Sequence, residues 1–223
     1  MDTWEWFKLV AGSSVVASIT TGVIGSVGRR REKERSARST ALTAALSLQT
    51  YAAACQTMMY DASVSADEAT HRCSYEPTEG IDLPKFAFPD GMEWKTIDHA
   101  TEVDLREFEG WIKAVHQRMS DETQHGDPLD YVAEVEYRCT VVGLRALELA
   151  SETRRREKVP EWRPAEENAN LEADLQQHRA DMEERRQKQA LRNLKMMRQL
   201  EASAKSLAGA VAPASNSEMQ SPQ

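Results

Sequence analysis

The sequence predicts an all-α protein: one N-terminal transmembrane helix, a small cytoplasmic domain of three to four helices, and a long charged C-terminal helix. Three observations carry that prediction. Residues 9–27, about 19 in number, hold no charged side chain and run into Arg29, Arg30, Arg31, Lys33 and Arg35. Three later segments repeat apolar residues in alternating steps of three and four, which puts each set on one helix face. Residues 165–208 then read as one long, heavily charged helix.

Residues 1–8 are expected to form a short leading tail and 9–28 the span. A helix rises about 1.5 Å per residue, so this stretch reaches roughly 28 Å, close to the ~30 Å hydrocarbon core of a bilayer. Trp4, Trp6 and Phe7 precede it, where aromatic rings suit the headgroup boundary. Lys and Arg near a span stay on the cytoplasmic side, and the tail sets Asp2 and Glu5 against Lys8. The N-terminus is therefore expected outside and the C-terminal bulk in the cytoplasm. A cleaved secretory signal would carry its positive charge before the apolar stretch, not after it. A helix lying on the membrane surface would have a charged polar face, and this one offers only Ser, Thr and Gly.

The span has two sides. Leu9, Val16, Ile19, Val23 and Val27 share one face, while Ser14, Ser18, Gly22 and Ser26 form a ladder of small residues four apart. Such a ladder lets two helix backbones approach closely in lipid, so these four are the candidate membrane-helix packing residues. The alternative is a plain anchor.

Residues 29–160 are expected to hold the helical domain. Its first seam is Ala41, Ala45, Leu48, Ala52, Cys55, Met59 and Ala62, widened by Leu42, Leu46 and Met58. Ser65-Ala66-Asp67-Glu68 has the form of a capping box and predicts a separate short helix to about Arg72. Over residues 73–98, Pro77, Gly80, Pro84, Pro89 and Gly91 preclude a long helix. Leu83, Phe86, Phe88, Met92, Trp94 and Ile97 in that loop would nevertheless be costly to expose. Two readings follow: an aromatic cap on the open side of the core, or a partner-docking surface anchored by Phe86, Phe88 and Trp94.

The second seam is Leu105, Phe108, Ile112, Val115 and Met119, opened by the box-like Thr101-Glu102-Val103-Asp104. The third is Val132, Val135, Cys139, Val142, Ala146 and Leu149, with Asp127 as N-cap and Pro128 at the first helical position. In the charged helix, expected over 161–208, Leu171, Leu175, His178 and Met182 keep a seam, and Leu191, Leu194 and Met197 resume it. The charged run 183–189 interrupts it, which argues against a continuous coiled coil. Residues 209–223, rich in Ala, Pro, Ser and Gln, read as a disordered tail.

Composition narrows the function classes. The 223 residues carry a formal charge of −8, which does not favour binding a phosphate backbone, so no nucleic-acid partner is expected. The 3 cysteines, Cys55, Cys73 and Cys139, form no disulfide framework. Cys55 and Cys139 fall on apolar seams and read as small buried hydrophobes, and free thiols fit a cytoplasmic compartment. Glycine-rich phosphate loops, H-E-x-x-H and C-x-x-C are absent from the sequence. The nearest metal cluster, Asp67, Glu68, His71 and Cys73, would diverge on a helix. His116 lies at a seam edge without a nucleophile or carboxylate in triad order, and Glu102, Asp104, Glu107 and Glu109 read as a solvated face. No catalytic residue, metal, cofactor or small-molecule substrate is expected.

Two stretches together carry a resemblance. One is Leu83-Pro84-Lys85-Phe86-Ala87-Phe88-Pro89-Asp90 leading to Trp94-Lys95-Thr96-Ile97-Asp98. The other is Val142-Gly143-Leu144-Arg145-Ala146, followed by Leu149-Ala150, Arg154-Arg155-Arg156 and Val159-Pro160. With the span and the Ala-rich helix, the arrangement resembles small bacterial proteins of no assigned activity that join one N-terminal span to a helical domain. The resemblance covers roughly residues 5–190 and implies a bacterial inner-membrane location. It transfers no functional residue.

The expected function is thus that of a non-enzymatic, membrane-anchored helical protein that binds a partner membrane protein or a second copy of itself. Alternatives are a sensor or regulator that relays a signal through its helices, an enzyme with an unrecognised site, and an inverted topology with the helices in the periplasm. Replacing Gly22 with Leu tests the packing ladder. A membrane-dimer reporter should lose its signal in the variant if the small-residue face packs, and keep it if the span only anchors.

Overall fold

Alanine-rich stretches need a close neighbour to bury them, and the architecture follows from how that need is met. The computed structural model describes residues 3–123 and 127–211, with side chains over 30–121, 127–166 and 168–205. The described residues contain four α-helices, three single 3-10 turns and no strand: α1 (Thr3–Arg72), α2 (His99–Thr123), α3 (Pro128–Arg156) and α4 (Leu171–Val211). The protein is all-α. It divides into two compact units, residues 1–176 and 177–223.

Among the described residues no helix is long and apolar enough to cross a membrane. The side chains of the expected span, 9–28, lie outside the described residues. Residues 1–2 of the expected leading tail and 212–223 of the expected disordered tail also lie outside the described residues.

The core of the first unit is built on α1 and α3. They run antiparallel, since Gln49 meets Arg154 near one end of the pairing and Cys55 meets Gly143 further along. Ala41, Ala44, Ala45, Leu48, Ala52 and Cys55 of α1 are buried with Cys139, Val142, Ala146 and Ala150 of α3. A Cβ added at Gly143 would stand 3.2 Å from Cys55 Cβ and 3.0 Å from Leu175 Cδ1. Gly143 is therefore a point of close approach of α1, α3 and the first turns of α4, and Leu171 and Leu175 complete the core there.

The expected extra helix from Ser65 does not form as a separate element, because α1 continues unbroken to Arg72. The preceding turns already supply acceptors for the amides that a cap would serve. The Ser65 hydroxyl instead donates to the Pro77 carbonyl and ties down the next loop. Leu42 and Leu46, expected to widen the first seam, point outward and are exposed.

α2 begins two residues before the expected box. Asp98 Oδ2 accepts from the Ala100 amide at 3.0 Å, and Glu157 Oε1 accepts the Asp98 amide at 2.8 Å. The end of α3 thus supplies the carboxylate that a capping box takes from its own first turn, and Thr101 is buried inside the helix instead. Asp127 caps α3 as its sequence implies, accepting from the Leu129 amide at 2.9 Å with Pro128 following.

The segment 73–98 contributes a layer of the core. The Phe86 ring sits 4.9 Å from Tyr51 of α1 and 5.3 Å from Phe108 of α2, so α2 closes on α1 largely through this wedge. Polar ties fix the segment on three sides. Thr96 meets Thr40 of α1 at 3.2 Å, Tyr131 of α3 donates to Asp82 at 2.8 Å, and His116 of α2 sits 3.2 Å from the Pro84 carbonyl oxygen.

Two glycines separate tight packing from open space. Gly143→Ala should destabilise the fold by about 1–3 kcal/mol, because backbone and Leu175 must yield to the new methyl. Gly110→Ala on α2, where nothing lies within 4 Å of the added Cβ, should stabilise it by roughly 0.5–1 kcal/mol. Unfolding of the full chain in detergent micelles, followed by circular dichroism, measures both.

Candidate functional site

The residues singled out from sequence fall into three groups. Ser14, Ser18, Gly22 and Ser26 belong to α1, but their side chains lie outside the described residues. Phe86 and Phe88 are buried, with ring centroids 4.8 Å apart and edge to face. Trp94 is half-buried, 5.2 Å from Phe88, and the Arg106 guanidinium stacks 4.7 Å over its ring. Phe86 and Phe88 therefore spend their surface inside the core, and only part of Trp94 reaches solvent. The loop occupies the place of the aromatic cap.

Several groups with latent chemistry are held in structural contacts. A cavity of about 670 Å³ between the loop, α2 and α3 is lined by Asp82, Lys85, His116, Ser120 and Tyr131 among others. Asp82 Oδ1 accepts from both the Tyr131 hydroxyl and the Leu83 amide, and Lys113 pairs with Glu109 at 2.6 Å. His116 faces the Pro84 carbonyl of the loop rather than a nucleophile. Among the described residues no three His, Cys, Asp or Glu side chains gather around one point that could hold a metal.

Cys55 and Cys139 are fully buried and neighbour one another and Tyr51, whereas Cys73 is exposed. Contact with the Cys55 thiol and burial push the Cys139 pKa far above the ordinary thiol range. Burial does the same to the Tyr51 phenol, whose hydroxyl lies beside Cys55 without a well-formed hydrogen bond among the described residues. Tyr51 and Cys139 therefore keep their protons and serve as packing.

What remains open is the distal half of α4. Leu191, Leu194, Met196, Met197 and Leu200 are each 50–69% exposed. At 100° per residue, Leu194, Met196, Met197 and Leu200 share one side of the helix. Lys188, Arg192 and Lys195 occupy the other. The sequence marked Leu191, Leu194 and Met197 as a resumed seam; Met196 and Leu200 share the side of Leu194 and Met197, whereas Leu191 falls toward the basic side. Local support is electrostatic, from Arg179–Glu183 at 2.8 Å and Lys188–Glu184 at 2.6 Å. Such pairs hold an exposed helix by only about 0.2–0.5 kcal/mol each.

The chain matches no protein-family model, no curated protein and no solved structure.

The thiols give a direct check. Maleimide should modify Cys73 alone in the native chain and all 3 cysteines after unfolding, as counted by mass spectrometry. The titration has a definite sign. Folded Cys139 keeps its proton, while an unfolded thiol releases it near pH 9. Stability should therefore hold below that pH and fall as pH rises past it. A melting series from pH 7.5 to 10.5 should show a shallower loss in Cys139→Ala than in the natural chain.

Proposed function

We propose that this protein is a non-enzymatic, membrane-anchored helical protein that captures a helix of a protein partner, or of a second copy, through the distal half of α4. The single observation that carries the reading is the exposed apolar side of that helix. Leu194, Met196, Met197 and Leu200 put four large apolar side chains on one side within seven residues, more than a solvated helix needs, and packing a second helix against them would bury them. The uncharged stretch 9–27 and the basic run after it support the anchor, with the helices on the cytoplasmic side of a bacterial inner membrane.

A second reading is favoured by one observation. α1 runs without interruption from Thr3 to Arg72, so residues 29–39 form no hinge between the uncharged stretch and the Ala41 seam. A continuous helix of that kind suits a regulator that relays a displacement from membrane to helical core.

A photo-crosslinking residue at position 194 or 197 in intact cells should yield one reproducible protein adduct in the membrane fraction, and one at position 192 on the basic side should not. The double change Leu194→Asp and Met197→Asp should cut capture at least about tenfold while leaving helix content unchanged, because both side chains are exposed. Adducts with lipid alone, or none, would reject the protein-partner reading.

A further inference from the structure

At the C-terminal end of α3 three departures from ordinary packing converge. The first is a buried charge. Arg154 is 6% exposed, and its guanidinium donates from Nη1 to the Pro160 carbonyl at 2.7 Å and from Nη2 to Gln49 Oε1 at 3.1 Å. Both acceptors are neutral. No carboxylate pairs with Arg154 among the described residues, and its Nε is a buried donor without a partner there. Burial lowers its pKa from the ordinary guanidinium value. A buried cation held only by neutral acceptors is costly, and a nearby anion relieves that cost.

The second departure is backbone strain. Lys158 follows the end of α3 with φ +55°, a left-handed conformation that glycine usually supplies. The Val159 amide donates to the Arg154 carbonyl at 2.9 Å, closing the helix end in the manner that demands this conformation. A lysine held there keeps an ammonium where a glycine would relax the turn.

The third is a cavity of about 420 Å³, within the range of small-molecule sites. Arg154, Arg155, Lys158, Glu161, Trp162 and Glu172 line it. Complementing the helix dipole does not account for this cluster. Arg156 already serves the last turn, bonded to Asp104 at 2.5 Å and beside Glu152 at 3.8 Å, whereas Arg154 reaches past the helix to Pro160 and Arg155 and Lys158 form no ion pair among the described residues.

We infer that this cavity binds a small organic monocarboxylate with an apolar or aromatic body. Three cationic side chains against the carboxylates of Glu161 and Glu172 leave one net positive charge, which matches one carboxylate better than a doubly charged phosphate. Both Nη atoms of Arg154 are engaged, so it acts through its charge, while the exposed Arg155 guanidinium in the same lining presents the donor fork that fits a carboxylate. Trp162 and Val159 offer the body an apolar wall. The site lies on the first unit and is independent of the distal α4 surface, so either reading can fail without the other.

The test uses the full chain in phosphatidylcholine nanodiscs, with benzoate and indole-3-acetate as probes and benzamide and inorganic phosphate as controls. The two carboxylates should raise the melting temperature saturably, benzamide should not, and phosphate should act more weakly. Lys158→Gly relaxes the turn and removes the ammonium, so it should fold at least as stably yet bind the carboxylates about tenfold more weakly. Arg155→Ala should weaken binding without unfolding the chain, since Arg155 is exposed. No saturable shift with either carboxylate, an equal shift with benzamide, a stronger one with phosphate, or unchanged binding in Lys158→Gly would each overturn the inference.

Discussion

The close approach of α1 to α3 is the constraint on which the rest of the described structure depends. Small side chains on both seams, Ala41, Ala45, Ala52 and Cys55 against Cys139, Ala146 and Ala150, let the two backbones come together. Dispersion contacts are individually tiny and require nearly touching surfaces, so an alanine seam stabilises only if the helices close fully. Gly143 sets the limit of that closure, because its missing methyl is the space that Leu175 and Cys55 fill. A single glycine thereby joins two interfaces: α3 to α1, and α3 to the opening turns of α4.

A seam of small residues buries little area per residue, and the fold compensates with aromatics. The rings of Tyr51, Phe86, Phe88, Trp94 and Phe108 form one connected set with edge-to-face and tilted contacts of 4.8–6.1 Å. Three of these come from the irregular segment 73–98. Large apolar side chains cannot be buried by a loop unless its backbone polar groups are satisfied nearby. Ser65, Thr40, His116 and Tyr131 reach out from three helices to tie that segment in place. The segment is thus a structural layer without regular secondary structure, which is why its aromatics are spent on the core.

Helix identity and burial were legible in the sequence because they follow from periodicity. Every member of the three seams, from Ala41 to Leu149, is buried. The loop boundaries were legible because proline and glycine act locally. What was not legible depends on distant partners. Nothing near Ser65 reveals that its hydroxyl will meet Pro77 rather than cap a helix, and nothing near Asp98 reveals that Glu157, 59 positions away, accepts its amide. Aromatic residues in a loop look alike whether they pack inward or dock a partner, so Phe86 and Phe88 could be read either way until Tyr51 and Phe108 were seen beside them. The interest of Arg154 was hidden for the same reason: a run of three arginines at a helix end looks like an answer to the helix dipole, and only the structure separates Arg156, which is paired with carboxylates, from Arg154, which is not.

Sequences that specify a fold tend to agree with themselves at every level, and the exceptions gather where something besides folding is selected. In this protein the exceptions are unevenly distributed. The α1–α3 seam breaks no rule, with apolar periodicity, small residues and burial all in agreement. The end of α3 breaks three at once: a buried guanidinium without a carboxylate, an orphan donor, and a lysine in a glycine conformation. Each has a simple remedy in sequence, a methionine at 154 or a glycine at 158. Stability alone would favour those remedies. Single exceptions occur elsewhere, the Tyr51 hydroxyl beside the wedge, unpaired among the described residues, and Cys73 at φ +50° after α1, whereas the end of α3 gathers several of them in one place.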